Sequence, residues 1–328
     1  MSRLSFGLTL GRFSPIIIKK DKEDRGMPFV IVLCVLLVLI VAMGAYLAYF
    51  SMRIQRQTLA QAKAWQETHY DISWYDPLPK KDYTIQCADG YVLHVQLLRN
   101  PEPTTRYIIL SHGYTDNRFG SLKYTKLYLD LGFNVVLYDL RGHGANDRTF
   151  CTYSIRESSD LNELIQDTRR RYADLTELGI HGESLGSATS IAVLKYHPMI
   201  DFVVADCGFS EIQSVMKAGL RGMHLPTCLV YIASLCVKVR YGYFYHEMQP
   251  ILSLKDNTLP ILLIHGEQDD FILPEHSRRM QAATQGYSEL HLIPGAGHAA
   301  SVLTDPESYR EDVQAFLEKV EAMRREAV

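Results

Sequence analysis

The pentapeptide Gly182-Glu183-Ser184-Leu185-Gly186 places a serine hydroxyl between two glycines. A short strand is predicted over residues 179–183 and a helix from Ser184 to about Tyr196, so the serine stands on a sharp strand-to-helix turn. Glycines let the backbone approach itself closely at such a turn, and the first N–H groups of the helix favour negative charge beside the hydroxyl. A helix-capping serine would give the same pattern. Ser184 is therefore a candidate nucleophile that needs a base and an acid from elsewhere.

Two later loops contain the residue types that activate a serine. His298 follows the last predicted strand, and its imidazole could accept the proton of Ser184. Asp269 follows the strand before it, and a carboxylate there could fix the tautomer of the imidazole and stabilise the imidazolium ion. Asp270 and Asp206 are alternative acids, the second at the end of an earlier strand. Taken singly, each of these residues could equally be a solvated loop residue.

The segment His112-Gly113-Tyr114 follows the third predicted strand. Beside a nucleophile on a strand-to-helix turn, such a loop supplies one N–H group to a developing oxyanion, and the residue after the nucleophile supplies the other. We assign these two donors to the backbone of Tyr114 and Leu185. Each such donor lowers the barrier by about 3 kcal/mol. The imidazole of His112 is interpreted as a structural group that shapes the loop.

The candidate residues lie where strands and helices alternate, from about residue 80 to the end. Two β-rich runs, 82–87 and 91–98, are joined through Asp89-Gly90, which is a hairpin signal. Short apolar strands separated by helices then predict an α/β fold with a mainly parallel sheet and helices on both faces. Because each candidate residue follows the carboxyl end of a strand, where the ligand sites of such sheets gather, we expect them to converge.

Residues 209–258 interrupt this alternation. They contain no convincing strand and are rich in apolar and aromatic side chains. We interpret the segment as a helical cap insertion that folds over the end of the sheet. A cover of this composition suits a pocket for an acyl or aromatic group.

The chain from Pro28 to Phe50 carries no charged residue. A helix rises about 1.5 Å per residue, so this stretch can cross a hydrocarbon core of about 30 Å, and we predict a transmembrane anchor over residues 27–50. A cleaved signal peptide is the alternative, although its apolar region is usually shorter. We assign residues 1–26 to a cytoplasmic tail, 51–78 to a helical stalk and 79–328 to the globular domain.

Basic residues are slightly more numerous before the predicted anchor than after it. Arg12, Lys19, Lys20, Lys22 and Arg25 precede it, whereas Arg53, Arg56 and Lys63 follow it. Because positively charged flanks tend to remain in the cytoplasm, we predict a single-pass protein of the cell membrane whose domain lies outside the cytoplasm.

The overall composition argues against several other classes of protein. Hydrophobic residues make up 47% and charged residues 22% of the chain, as in a folded protein, and a formal net charge of −3 provides no field that attracts nucleic acid. The six cysteines form no C-x-x-C pair and no cluster with metal-ligand spacing. The sequence has no P-loop, dinucleotide fingerprint or H-E-x-x-H motif. We therefore predict no cofactor, no metal site and no nucleic-acid partner.

Together, the motifs resemble the signature blocks of the α/β-hydrolase superfamily. The blocks are Leu110 to Tyr114, Asp139 to Gly144, Gly182 to Gly186, His265 to Asp269 and Gly297-His298, within a resemblance that covers residues 80–325. More narrowly, the chain is similar to bacterial hydrolases with one N-terminal span that are grouped with serine aminopeptidases and with esterases or lipases. The resemblance implies the α/β-hydrolase fold, a Ser-His-Asp triad in the chain order found here, no cofactor, and a cap formed by the insertion.

Three functions are compatible with this pattern. The first is hydrolysis of a carboxylic ester, an acyl substrate, through an acyl-enzyme. The second is a serine peptidase or aminopeptidase on short peptides, in which Glu183, Glu211 or Glu247 would hold the substrate amine. The third is a catalytically inactive binding protein, which is less favoured because no member of the triad is lost. In each case we expect a small-molecule or short-peptide partner and attachment to a membrane.

Overall fold

Eight strands form a single sheet in the computed structural model, which describes residues 26–326. The strands are β1 (Lys80–Gln86), β2 (Val92–Leu98), β3 (Arg106–Ser111), β4 (Asn134–Tyr138), β5 (Glu177–Glu183), β6 (Phe202–Asp206), β7 (Ile261–Gly266) and β8 (Ser288–Ile293). Their order is β1-β2-β4-β3-β5-β6-β7-β8. The pairs β1–β2 and β2–β4 are antiparallel, and all other neighbours are parallel. The predicted fold class, a mainly parallel sheet opened by a hairpin, is therefore confirmed.

Ten α-helices accompany the sheet in the described part of the chain. They are α1 (Gly26–Met52), α2 (Leu59–His69), α3 (Leu122–Asp130), α4 (Ile155–Arg171), α5 (Leu185–Ala192), α6 (Ile212–Gly222), α7 (Leu229–Tyr241), α8 (Glu275–Ala283), α9 (Ser301–Thr304) and α10 (Pro306–Glu326). Short 3₁₀ turns lie at Arg118–Ser121, Val193–Tyr196, Tyr245–Glu247 and Pro250–Leu254.

Helices cover both faces of the sheet because its central strands are apolar on both sides. Successive side chains of a strand point to opposite faces, and the neighbours Ile108 and Ile109 on β3 accordingly enter two different hydrophobic cores. One core is formed with α4 and α5, and the other with α3 and α10. Since both faces are covered, the free edge formed by the carboxyl ends of the parallel strands is left for a site.

The polar residue His181 in the middle of β5 is accommodated by tyrosines. Its Nδ1 lies 3.0 Å from the hydroxyl of Tyr128, and its Nε2 lies 3.3 Å from the hydroxyl of Tyr309. Burial lowers the pKa of His181 to about 3, so the ring is neutral. A buried polar group that has partners is tolerated in a core, which explains how a central strand contains a histidine.

The predicted cap insertion is helical. Between Asp206, the last residue of β6, and Ile261, the first residue of β7, the structure contains α6, α7 and two 3₁₀ turns, with no strand among these described residues. Gly242, at the end of α7, adopts a φ of 87°, the left-handed conformation that terminates many helices.

The apolar helix α1 is long and apolar enough, by length and composition, to cross a membrane over Met27–Met52. The described residues before Met43 form one compact unit, and the chain from Met43 onward forms a second. In the first unit every side chain from Met27 to Ala42 is exposed. Apart from Gly26, the predicted tail over residues 1–26 and its basic residues lie outside the described part of the chain.

The segment predicted as a stalk, residues 51–78, packs against the domain instead. Ala62, Ile72 and Tyr75 are buried, and the N–H of Gln57 donates a 2.8 Å hydrogen bond to the carbonyl oxygen of Thr115. The buried residues are widely spaced along the chain, so they produce no periodic pattern that indicates packing. The segment is part of the globular unit.

Candidate active site

Ser184 occupies the turn between β5 and α5 in a strained conformation. Its φ is 52°, a value that non-glycine residues seldom adopt. The flanking glycines are sterically required, since a Cβ on Gly182 would lie 2.2 Å from the carbonyl oxygen of Gly186, and a Cβ on Gly186 would lie 2.1 Å from that of Ser111. The predicted strand–turn–helix is therefore present, and it holds the Ser184 hydroxyl above the edge of the sheet.

The three residues predicted to act together lie within hydrogen-bonding distance of one another. The Oγ of Ser184 lies 3.0 Å from Nε2 of His298, and Nδ1 of His298 lies 2.7 Å from Oδ2 of Asp269. Each residue follows a different parallel strand: Ser184 follows β5, Asp269 follows β7 and His298 follows β8. The side chains of Asp269 and Ser184 are buried, and His298 is partly exposed.

Asp269 is held by more groups than the sequence indicates. Its Oδ1 accepts the backbone N–H groups of Phe271 at 3.0 Å and Ile272 at 2.8 Å, and its Oδ2 lies 3.2 Å from Nε2 of His265. Burial works against ionisation, but the hydrogen bonds from His265 and then His298 outweigh it and hold the pKa of Asp269 well below its usual range. The carboxylate is therefore ionised at neutral pH and ready to stabilise an imidazolium ion.

His265 makes a contact with Asp269 that is not indicated by the sequence. Its Nε2 donates to the carbonyl oxygen of Ile272 at 2.7 Å, and its Nδ1 lies 2.7 Å from the Ser277 hydroxyl. These two partners orient the ring so that the N–H at Nε2 also faces the carboxylate of Asp269. His265 and Asp269 are four residues apart in the sequence. This spacing predicts no contact, because the chain between them leaves the strand and enters a loop, which has no regular period.

Among the described hydrogen bonds, neither alternative acid contacts the imidazole of His298, whose Nδ1 is paired with Asp269. Asp270 is exposed. Asp206 is buried, accepts a hydrogen bond from the Tyr124 hydroxyl at 3.1 Å and lies 3.4 Å from the Ser301 hydroxyl. Burial and then the nearby charge of Glu183 raise the pKa of Asp206 to about 6. The geometry therefore favours Asp269 as the partner of the histidine.

A buried ion pair lies directly behind the serine. The ammonium group of Lys123 forms an ion pair with Glu183 and lies 3.3 Å from the carbonyl oxygen of Ala299, while the Tyr124 hydroxyl donates to Glu183 at 2.5 Å. Burial opposes the charge of Lys123, but Glu183, Tyr70 and Asp206 together outweigh burial and raise the pKa of the ammonium group. No feature of the sequence predicts this pair, because the two residues are sixty positions apart and belong to different elements.

The two predicted oxyanion donors, Tyr114 and Leu185, line the same cavity as Ser184. The residue before Tyr114, Gly113, lies beside Ser184, since a Cβ at position 113 would lie 3.7 Å from the Cβ of Ser184. Burial lowers the pKa of His112 to about 4. Its neutral ring accepts the N–H of Leu140 at 2.9 Å and donates to the carbonyl oxygen of Gly113 at 2.8 Å. His112 thus braces the loop, as expected from the sequence.

An apolar cavity of about 320 Å³ adjoins Ser184. Cap residues form one wall, residues near the serine form another, and the end of α1 forms a third. Its lining comprises Leu47, Phe50, Ser51, Gln55, Tyr114, Tyr153, Ser184, Leu185, Phe209, Ile212, Val215, Met216, Gly219, Leu220, Met223, Val230, Ala233, Tyr245, Phe271 and Ile272. The contribution of α1 is unexpected, because its uninterrupted apolar sequence indicates only an anchor.

A larger, open groove of about 900 Å³ lies beside Arg106, Glu177 and Arg324. Arg106 begins β3 and Glu177 begins β5, so this groove is at the opposite edge of the sheet from Ser184. Most of its charged residues are already paired, for example Arg106 with Glu177 at 2.5 Å. We therefore place the candidate site in the smaller apolar cavity.

The doubly covered sheet, the nucleophile turn and the order Ser, Asp, His along the chain define the α/β-hydrolase class of proteins. Comparison with known proteins then identifies the family: the model of the prolyl oligopeptidase family (Peptidase_S9) matches residues 118–323, and the chain belongs to this family. It is accordingly a hydrolase of the serine α/β-hydrolase kind.

Individual known proteins are similar to most of the chain. The uncharacterized protein YqkD of Bacillus subtilis is 31% identical over 290 residues, which covers 86% of this chain and 94% of that protein. An uncharacterized membrane protein of Saccharomyces cerevisiae is 20% identical and covers 76% of this chain and 83% of its own length. Among solved structures, the esterase Pf2001 of Pyrococcus furiosus superposes with a TM-score of 0.63 at 20% identity, covering 81% of this chain and 98% of the esterase. This last likeness concerns the fold.

Proposed function

We propose that the protein hydrolyses carboxylic esters of apolar acyl groups, with Ser184 as nucleophile, His298 as general base and Asp269 as the acid that orients the histidine. The observation that carries this proposal is the chemistry of the cavity beside Ser184. Among the described residues that line it, none is charged, and most are aliphatic or aromatic. Such a cavity favours an alkyl chain and offers no partner to a charged substrate group.

The hydrogen bonds support an acyl-enzyme mechanism for this proposed reaction. His298 accepts the proton of Ser184 at Nε2, and the serine oxygen attacks the carbonyl carbon of the ester. The backbone N–H groups of Tyr114 and Leu185 stabilise the resulting oxyanion, while Asp269 stabilises the imidazolium ion through Nδ1. His298 then gives its proton to the leaving alcohol, and an acyl-enzyme remains on Ser184. Water, deprotonated by His298, attacks this ester, and the imidazolium returns the proton to the Ser184 oxygen as the acid is released.

A peptidase acting on short peptides is the second candidate, supported by the family to which the chain belongs. A peptidase of this kind needs an acidic side chain that faces the amine of the substrate. Glu183 is paired with Lys123, Glu211 lies 3.1 Å from Arg279, and none of Glu183, Glu211 and Glu247 lines the cavity. These contacts favour hydrolysis of an ester over hydrolysis of a peptide.

We further propose that α1 anchors the protein in a membrane, with the N-terminus in the cytoplasm and the domain outside it. The length and composition of α1 support this proposal, as does the description of the yeast relative as a membrane protein. Proteolysis of intact cells tests the orientation: we expect the domain to be digested without lysis.

A panel of nitrophenyl esters of increasing chain length tests the proposed reaction. We expect turnover by the full chain in detergent, faster than that of matched aminoacyl amides. Labelling by a fluorophosphonate probe should disappear in Ser184→Ala, which also separates an enzyme from an inactive binding protein. A folded protein that turns over no ester, or labels equally after the substitution, would contradict the proposal.

A further inference from the structure

The outer face of cap helix α7 is apolar and exposed. Tyr231, Leu235 and Val239 are spaced four residues apart and therefore share one side of the helix. Their exposed fractions are 58%, 57% and 82%. Two cations, Lys238 and Arg240, flank this face and are long enough to reach polar surroundings above an apolar surface. A contiguous apolar face with basic neighbours is typical of a helix that lies in a membrane interface.

The last turns of α1 pack directly against this helix. Gly44 faces Ile232 of α7 so closely that a Cβ at position 44 would lie 2.5 Å from the Ile232 side chain. One turn later, Ala48 is also buried. Small residues four apart allow two helices to approach closely. The last turns of the apolar helix α1 therefore lie beside the exposed face of α7. This contact favours a membrane as the partner that covers the exposed face.

Hydrogen bonds fix the same segment to the rest of the site. The Tyr153 hydroxyl donates to the carbonyl oxygen of Ser51, and the hydroxyls of Ser51 and Tyr245 are bonded to each other. The Tyr114 hydroxyl donates to the carbonyl oxygen of Arg53 at 2.7 Å. Since Tyr114 belongs to the proposed oxyanion loop, the end of α1 is linked to the loop that would stabilise the reaction.

Both helices also form walls of the cavity that leads to Ser184. Leu47 and Phe50 contribute from α1, and Val230 and Ala233 contribute from α7. A methylene group takes up close to the share of a water molecule in the liquid, about 30 Å³, so a cavity of about 320 Å³ holds one chain of about ten carbons.

We propose that the substrate is a single-chain acyl ester taken from the bilayer, with the outer face of α7 immersed in the membrane interface and the acyl chain passing between α1 and the cap to Ser184. This inference rests on the proposed ester hydrolysis and on the proposed anchor. It assigns α1 a second role, because the helix would both hold the enzyme at the membrane and form one wall of the acyl site.

The test uses the full chain in phosphatidylcholine vesicles and two esters, nitrophenyl decanoate dissolved in the bilayer and nitrophenyl butyrate in the water. The double variant Leu235→Asp with Val239→Asp places charge on the outer face of α7, away from the cavity lining. We expect the ratio of kcat/KM for decanoate to that for butyrate to fall about tenfold, since a carboxylate is costly to place at a membrane. The matched control is Met199→Asp, which substitutes a residue that is 72% exposed at the other edge of the sheet.

An equal ratio in the double variant and the control would overturn the proposal. If the wild-type protein cleaves neither ester, the proposed function itself fails, and the two failures are thus distinguishable. A second measurement does not depend on a disruptive substitution: tryptophan emission in Leu235→Trp should be quenched by brominated lipids, whereas in Met199→Trp it should not exceed the quenching of the wild type. Equal quenching in the two tryptophan variants would also overturn the proposal.

Discussion

The ammonium group of Lys123 connects the loop of the serine with the loop of the histidine. It binds Glu183, the residue before Ser184, and lies 3.3 Å from the carbonyl oxygen of Ala299, the residue after His298. Ala299 adopts a φ of 56°, so this backbone is held in a conformation that its side chain disfavours. A single buried cation therefore sets the distance between two loops whose side chains must remain about 3 Å apart for proton transfer.

We expect Lys123→Met to be strongly destabilising, because the substitution leaves Glu183 as an unpaired buried carboxylate. Removing one partner of a buried ion pair typically costs about 3–5 kcal/mol of unfolding free energy. Adding Glu183→Gln should restore part of the loss, since no isolated charge then remains. Denaturant unfolding in detergent measures both effects.

Lys126→Met is the matched control for this substitution. Lys126 lies on the same helix and pairs with Asp130 at the surface, so its replacement should change the stability by less than about 1 kcal/mol. If Lys123→Met unfolded at the same denaturant concentration as Lys126→Met, the ion pair would have no structural importance.

Asp269→Asn should leave the fold intact and lower kcat for ester hydrolysis by about 10⁴-fold, as expected when the acid of a triad is replaced by an amide. The amide oxygen can still accept the N–H groups of Phe271 and Ile272. Its NH₂ group, however, would donate to Nδ1 of His298 and favour the tautomer that cannot accept the serine proton. Steady-state kinetics measures the loss, and Asp270→Asn serves as the exposed control. Similar rates for the two variants would argue that Asp269 is not the orienting acid.

The contribution of Asp206 to the stability of the protein should decrease as the pH rises from about 4 to about 6. Burial, and then the charge of Glu183, raise the pKa of this carboxyl from its unfolded value of 3.8 to about 6. The folded state therefore binds more protons than the unfolded state between these values. The stabilisation is complete below pH 3.8 and is lost as the pH rises past 6; a shift of this size corresponds to about 3 kcal/mol.

Asp206→Asn removes this titration. We expect the unfolding free energy at pH 4 minus that at pH 7.5 to be lower in the variant than in the wild type by up to about 3 kcal/mol. Denaturant unfolding at the two pH values provides the measurement. An unchanged difference would mean that Asp206 is ionised equally in the folded and unfolded states.

Gly219→Leu should shorten the acyl chain that the enzyme accepts. Gly219 lines the cavity, and a Cβ at this position would meet no atom within 4 Å, so the larger side chain fills space without straining the helix. We expect the ratio of decanoate to butyrate turnover to fall about tenfold, because the cavity would lose room for about two methylene groups at about 0.8 kcal/mol each.

Gly222→Leu is the control for this substitution. Gly222 ends the same helix and is also unobstructed, but it does not line the cavity. Both substitutions replace glycine by leucine, which has a higher helix propensity. A difference between the two variants in the ratio of decanoate to butyrate turnover therefore reports on the cavity. The same ratio in both variants would place the acyl chain elsewhere.

Much of the reactive geometry follows from short-range signals. The glycines around Ser184 are required by contacts within a few residues or with one neighbouring strand, so the pentapeptide alone predicts the turn. His298 and Asp269 each follow the carboxyl end of an apolar strand, and parallel strands necessarily bring these ends to one edge. The convergence of the three side chains could therefore be expected before any coordinate was known.

Other features depend on distances that no local pattern encodes. The choice of Asp269 over Asp270 depends on which side chain turns inward. The inward-facing carboxylate of Asp269 contacts two backbone N–H groups and two imidazoles. The pairing of Lys123 with Glu183 joins distant elements through a core whose low polarity makes the contact strong. The role of α1 as a wall of the cavity likewise arises from packing on α7. The sequence determined the strand–turn–helix elements and the identity of the reactive groups, since both depend on neighbouring residues; only the tertiary structure decided their buried partners and the shape of the cavity, since these depend on how separate elements pack.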